Sequence, residues 1–263
     1  MSEGGGVLYH QVGPDRFLAT ELTAGPWMAD AQHGAPVGAL LLHCIQQQAG
    51  AVPPPFARVT VELLRPVPVT ELRVAARLKR PGRRVRMFEA EMLHGDTAVA
   101  AATAWSITGN ARDVPGAERP VPPPPRASGD GLIIPQFSGR GFHRQAVEID
   151  FVAGHFTEPG PATVWIRLHS VVVEGHPVSP AQRALVAADF GNGTASTVSP
   201  VETTFINTDL TLYLSRTPRS DWIAIDSTTY TGGEGYGFAE SIVFDESGVV
   251  GRSVQALLFE RRG

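Results

Sequence analysis

Three side chains of this chain have the types that hydrolytic chemistry needs: Asp189, Asn207 and Gln255. A carboxylate orients and deprotonates a water. Two carboxamides hold that water, or donate to the oxyanion that forms on an attacked carbonyl. None of the three is a good nucleophile, so the reaction they imply is direct hydrolysis without a covalent intermediate. Each also has a plainer reading. Asp189 suits a solvated helix end, Asn207 a turn cap beside Asp209, and Gln255 a surface position between Val254 and Ala256.

What singles the three out is a duplication. Residues 209–216 (DLTLYLSR) resemble 59–65 (VTVELLR), and 222–230 take the place of 72–78. Residues 235–244 resemble 84–93, and 250–259 match 99–107, all at a spacing near 150 residues. Two runs of helix then four strands at one offset mark a repeated unit. In that register Asp189 falls at His43, Asn207 at Phe56 and Gln255 at Ala104. A polar trio present in only one copy is not required by the fold, which points to a site built on the second half.

The elements that must carry the trio are legible. Ser179 is an N-cap and Pro180 suits the first helical position, where its missing N–H costs nothing. Ala184, Leu185, Ala187 and Ala188 make a small apolar face, and Gly191 and Gly193 are expected to stop the helix. Asp189 then sits in the last turn, the negative end of the helix dipole, an odd place for a carboxylate unless chemistry holds it there. Residues 32–46 read as a second helix, apolar on nearly every side and ended by Pro53, Pro54 and Pro55.

Strands follow from period-two alternation at 58–63, 72–78, 84–93 and 98–107, and again at 146–151 and 162–168 before the second helix. A further strand-like segment is 17–22. One helix followed by antiparallel strands is an α+β unit. Its bare edge strand is covered if the two copies pair side by side, so an intramolecular pseudo-dimer is expected. The domain reading is 1–110, a Pro/Gly-rich linker at 111–135, and 136–263.

Composition narrows the function. A net charge of −4, with 18% charged residues, argues against a nucleic-acid footprint and against stable association with an anionic membrane. The single cysteine, Cys44, excludes a disulfide framework and a cysteine metal cluster, and fits a reducing compartment. The eight histidines form no H-x-x-x-H or H-E-x-x-H pattern, so neither metal nor cofactor is expected. Residues 1–7 lack the basic and apolar regions of a signal peptide, and no apolar run is long enough to span a membrane, so a cytoplasmic location is expected.

The chain resembles the double hot-dog acyl-CoA thioesterases of the bacterial thioesterase II type. The first half carries the resemblance in HGAPVGALLL (33–42), TVELLRPV (60–67) and PGRR (81–84). The second carries it in ADFGNG (188–193), INTDLT (206–211), GRSVQ (251–255) and the segment around Asp226. The resemblance implies two central helices, each wrapped by an antiparallel sheet, the sheets joined edge to edge. It implies hydrolysis of a fatty acyl-CoA in lipid metabolism, with an acyl tunnel between the helices and the sheet, and a homodimer or higher oligomer. It further implies that Asp189, a residue on the following strand and Gln255 bind the hydrolytic water. The family has a Thr/Ser-type residue in the middle place, where this register puts Asn207, with Thr208 one residue on. His33, Gly34 and Arg84 are candidate substrate-binding residues.

Other features compete. His33 is also a candidate base before the first helix. Asp150 and His155 have the Asp-x4-His spacing of hot-dog hydratases and dehydratases, without the usual Asn-Pro after the Asp. Residues 232–237 (GGEGYG) lie between strands and read as a hairpin loop, not a phosphate loop. Arg83, Arg84 and Arg86 suit either CoA phosphates or a solvated strand face. A non-catalytic protein that binds acyl-CoA or acyl carrier protein, and an assembly subunit, are the alternatives to an enzyme.

Overall fold

The computed structural model describes residues 5–28, 30–50, 54–109, 121–126 and 141–262. Fourteen strands form one sheet. In the first half they are β1 (Val7–Gln11), β2 (Arg16–Ala19), β3 (Phe56–Leu63), β4 (Glu71–Arg80), β5 (Val85–His94) and β6 (Thr97–Ile107). In the second they are β7 (Val147–His155), β8 (Glu158–Leu168), β9 (Val171–Val173), β10 (Thr203–Asn207), β11 (Asp209–Leu214), β12 (Trp222–Thr231), β13 (Tyr236–Asp245) and β14 (Gly248–Arg261). The order across the sheet is β7-β8-β12-β13-β14-β11-β3-β6-β5-β4-β2-β1-β9, with β10 paired to β14.

The two halves meet where β11 pairs antiparallel with β3, Leu210 opposite Val61 and Leu212 opposite Val59. This is the edge-to-edge joining that the bare strands called for. The register of the duplication is visible in the ladders. Phe56 pairs with Ser106 and Asn207 with Leu257, while Phe88 pairs with Ala104 and Ala239 with Gln255. One offset, 151 residues from Phe56 to Asn207, relates all these pairs.

Two helices pack on the sheet's inner face. α1 (Gly34–Ala49) is buried from Ala35 through Gln46, because the strands curve around it and the other helix covers what they leave. α3 (Pro180–Asp189) begins in a capping box, Ser179 Oγ accepting from Gln182 N while the Gln182 side chain accepts from Ser179 N. The two helices run antiparallel in direct contact. Gln46 Nε2 donates to Ser179 Oγ at 2.8 Å, and Gln182 Nε2 donates to the Ala39 carbonyl at 3.0 Å. Gly38 abuts Leu185, and Gly34 abuts Asp189. The end of α3 therefore lies on the start of α1.

Two expectations need correction. Gly191 and Gly193 do not stop α3 in a left-handed turn; after Phe190 the chain makes another single helical turn, α4 (Gly191–Thr194). Glycine is needed at 191 for close approach, since a Cβ there would lie 2.7 Å from Ser241 Oγ. The expected strand at 17–22 ends at Ala19 and gives way to a short 3-10 turn at Glu21–Thr23. α1 ends at Gly50, whose φ of +111° suits glycine. Strands β1, β9 and β10 and the one-turn α2 (Phe142–Gln145) carry too few residues for periodicity to announce them. Within the expected linker, residues 121–126 have no regular structure, and 111–120 and 127–135 lie outside the described residues.

Candidate active site

Asp189 is the last residue of α3, and its side chain is only 4% exposed. A buried carboxylate is costly unless its oxygens are engaged. Here both are. Asn207 Nδ2, at the end of β10, donates to Oδ1 at 3.0 Å. His33 Nδ1 lies 2.9 Å from Oδ2. The carboxylate also rests on the first turn of α1, the positive end of that helix and a ready site for an anion. A Cβ on Gly34 would come within 2.8 Å of Oδ1, so the residue that opens α1 must be small. The unfavourable end of one helix is thus answered by the favourable end of the other.

His33 is the N-cap of α1 and packs against both Phe142 and Phe190, with ring centroids 5.2 and 5.1 Å away. The Ala35 N–H also points at Nδ1, at 3.1 Å. One ring nitrogen cannot accept from Ala35 and donate to an ionised Asp189 together. The shorter, charge-assisted contact to the carboxylate is the stronger. In the neutral ring that carries its hydrogen on Nδ1, Nε2 holds the lone pair.

Gln255 is reached differently. From β14 its Nε2 donates to the Ala188 carbonyl at 2.6 Å, beneath the final turn of α3. Its Oε1 is buried and has no hydrogen-bond partner among the described residues. Ser227 and Ser241, bonded to each other at 2.8 Å, lie under Gly191 next to it. The structure therefore brings Asn207 and His33 each onto the Asp189 carboxylate, and places the Gln255 amide on the carbonyl of the preceding residue, Ala188.

Asp189 lies in the wall of a cavity of about 350 Å³. Its polar lining includes His33, Asn192, Asn207 and Thr208, and its apolar lining includes Trp27, Val37, Leu63 and Val67. α1 and α3 touch along their length, so no space separates one helix from the other. The cavity opens instead at their common end, between the 25–34 segment, the end of β3 and the β10–β11 junction. Asn192, Trp27 and Val37 were not singled out from sequence; only Asn192 carried a signal, the polar position after Phe-Gly.

Arg84 is not part of this cluster. Its carbonyl accepts from Thr108 N beside the Phe56 end of β3, whereas the cavity lies at the Leu63 end. That separation is about 20 Å at 3.3 Å per strand residue. Asp150 and His155 are apart from it too: both are on β7, and His155 Nδ1 pairs with Thr157 Oγ1 at 2.6 Å. Residues 232–235 form the hairpin between β12 and β13, as their position between strands implied. No three His, Cys, Asp or Glu side chains among the described residues are grouped to hold a metal. No helix among them is long and apolar enough to cross a membrane.

The acyl-CoA thioesterase N-terminal domain family matches residues 23–107, and the acyl-CoA thioesterase C-terminal domain family matches 115–259. The chain belongs to the acyl-CoA thioesterase family. It is a thioester hydrolase of the double hot-dog fold. Solved structures share that fold at low identity. A tesB protein of Mycobacterium avium subs paratuberculosis is 16% identical, with a TM-score of 0.70 over 96% of each chain. Acyl-CoA thioesterase II TesB2 of Mycobacterium marinum is 15% identical, with a TM-score of 0.63 over 97% of this chain and 95% of that one. A conserved hot-dog protein of unknown function from Alicyclobacillus acidocaldarius is 14% identical, with a TM-score of 0.71 over 96% of each. No curated protein matches the chain.

Proposed function

We propose that the protein hydrolyses the thioester of a fatty acyl-CoA to the free acid and CoA, by direct attack of water activated at Asp189. The observation that supports this reading is the buried carboxylate of Asp189, held by Asn207 and His33 in the wall of a largely apolar cavity. A water beside the carboxylate gives it a proton as its oxygen bonds to the thioester carbon. Charge then builds on the carbonyl oxygen, and the Gly34 N–H is the first-turn donor of α1 offered to it, since Ala35 N–H is directed at His33 Nδ1 and Pro36 has none. The tetrahedral intermediate collapses with loss of the CoA thiolate, which recovers the proton.

Asn207 fixes Oδ1 and His33 contacts Oδ2, and each carboxylate oxygen can accept a further bond from a water in the cavity. Gln255 holds the Ala188 carbonyl, and so the last turn of α3, in place. Thr208 lines the same cavity and is the reserve hydroxyl. His33 and Gly34 form its inner wall, where the substrate carbonyl would sit. We place the enzyme in the cytoplasm, in lipid metabolism, as a homo-oligomer.

A second reading is favoured by the 2.9 Å contact between His33 Nδ1 and Asp189. In it Nε2 of His33 takes the proton and Asp189 orients the ring. Free-thiol release from acyl-CoAs separates the two. Asp189→Asn loses about a hundredfold or more of kcat in either case. His33→Gln keeps most of the activity if Asp189 is the base, and is as impaired as Asp189→Asn if His33 is. Full activity in a folded Asp189→Asn enzyme would sink both.

A further inference from the structure

The cavity is short, and what closes it is visible. Val37, on α1 one turn beyond Gly34, is 1% exposed and lines the cavity. At the next residue the helices touch: a Cβ on Gly38 would lie 3.3 Å from both Leu185 Cδ2 and Val61 Cγ2. Leu185 is fully buried and Val61 nearly so. On the face of α1 that carries Val37 the next residues, Leu40 and Leu41, are fully buried, so a chain that passes Val37 meets packed side chains. The opposite end is open, with Met28 48%, Leu64 49% and Ile206 37% exposed at the rim. Asp189 lines the cavity against Gly34, about one turn of α1 before Val37.

We infer that this enzyme acts on short- to medium-chain acyl-CoAs, with Val37 as the residue that sets the upper chain length. The inference rests on the proposed thioesterase reading of the same cavity. The acyl group lies against Val37, Leu63 and Val67, and the CoA portion leaves over the exposed rim. At about 350 Å³ the cavity lies at the small end of the roughly 300–1,000 Å³ of small-molecule sites. A site that small suits an acyl chain of about eight carbons or fewer. Longer chains would have to part α1 from α3, against the Gln182–Ala39 and Gln46–Ser179 hydrogen bonds. Val37 is thus a specificity residue that touches no reacting atom.

The test is an acyl-CoA series from acetyl to palmitoyl, read as kcat/KM by thiol release, for wild type, Val37→Phe, Val37→Leu and Val37→Ala, each checked by thermal unfolding. Wild-type activity is expected to fall sharply beyond octanoyl. Val37→Phe should lower octanoyl-CoA turnover by about tenfold or more relative to butyryl-CoA. Val37→Leu should do the same more weakly, and serves if the Phe variant does not fold. Val37→Ala should move the cut-off up by about two carbons, the bulk of the two methyls removed. A wild-type preference for palmitoyl-CoA, or an unchanged profile in folded Val37→Phe and Val37→Leu, overturns the inference and leaves the thioesterase reading standing. No turnover at any length overturns the thioesterase reading. In that event dissociation constants of the same series decide the cavity assignment: a cut-off near octanoyl keeps it, and no cut-off removes it.

Discussion

Gly34 and Asp189 share one small space: a Cβ on Gly34 would lie 2.8 Å from Asp189 Oδ1 and 3.0 Å from Oδ2. Gly34→Ala therefore displaces the carboxylate from the start of α1. The added methyl overpacks this junction and disturbs the bonds of a buried carboxylate, so a stability loss of about 1–3 kcal/mol is expected. Misplacing a catalytic group by an ångström costs on the order of a hundredfold in rate, so kcat of the folded variant should fall by about that factor. An active Gly34→Ala enzyme would mean that the carboxylate position does not matter.

Asn207 holds Asp189 Oδ1 through its Nδ2. Asn207→Leu removes the donor and leaves a buried acceptor unpaired, for a kcat loss on the order of a hundredfold. Asn207→Thr restores a hydroxyl of the expected type and should recover part of that loss. Steady-state kinetics of the two variants on one acyl-CoA check the ordering wild type, Thr, Leu.

His43 occupies in α1 the register that Asp189 holds in α3, each ten residues after its N-cap, His33 and Ser179. Its environment is different. Burial, and then the neighbouring His176 ring 4.8 Å away, push its pKa down to about 4. The folded state thus binds this proton less readily than the unfolded chain, whose imidazole titrates near its ordinary 6.5. Stability is full above that value and is lost as pH falls from 6.5 toward 4, by up to about 3 kcal/mol. Urea unfolding at pH 7.5 and 4.5 should show this loss in the wild type, and a smaller one in His43→Asn.

Arg216 binds Asp245 through both guanidinium arms, at 2.5 and 2.6 Å, and Asp245 is fully buried. Burial alone would raise the Asp245 pKa. The Arg216 pair and the N–H groups of Arg219 and Ser247 outweigh it and hold the carboxyl below its ordinary value. Arg216→Met strands that carboxylate. A cost of about 3 kcal/mol is expected, read as a lower urea midpoint at neutral pH. Because the aspartate pKa is depressed in the fold, the wild-type advantage should vanish as pH falls below the ordinary carboxylate range. A midpoint unchanged by the substitution would show that the pair contributes no net stability.

Much of the fold was readable along the chain, because its information is local and doubled. Alternation in 58–63 and again in 209–216 reports strands with one buried face, and the repeat doubles each weak signal. The register followed from the repeat alone: Asn207 opposite Leu257 is Phe56 opposite Ser106 moved by the same offset that carries Ala104 to Gln255. Asp189 was marked as out of place by its position at the wrong end of a helix dipole, a property of the helix and of nothing distant.

Contacts that cross the fold were not readable. His33 stood before a helix with two equal readings, and nothing nearby in sequence tells it that Asp189 lies 2.9 Å away. The sequence marked Gln255 for its polarity, yet only the packing of β14 under α3 sent its amide to the Ala188 carbonyl. The site of the cavity was decided in the same way. Small residues on both helices allow close approach, and packing at Gly38, Leu185 and Val61 leaves the open space at the helices' common end. The sequence by itself determined the two copies, their elements and the unshared acid, since these follow from neighbours a few residues apart. The tertiary structure decided which groups the acid meets and how long a chain can lie beside it, since both depend on how distant surfaces pack.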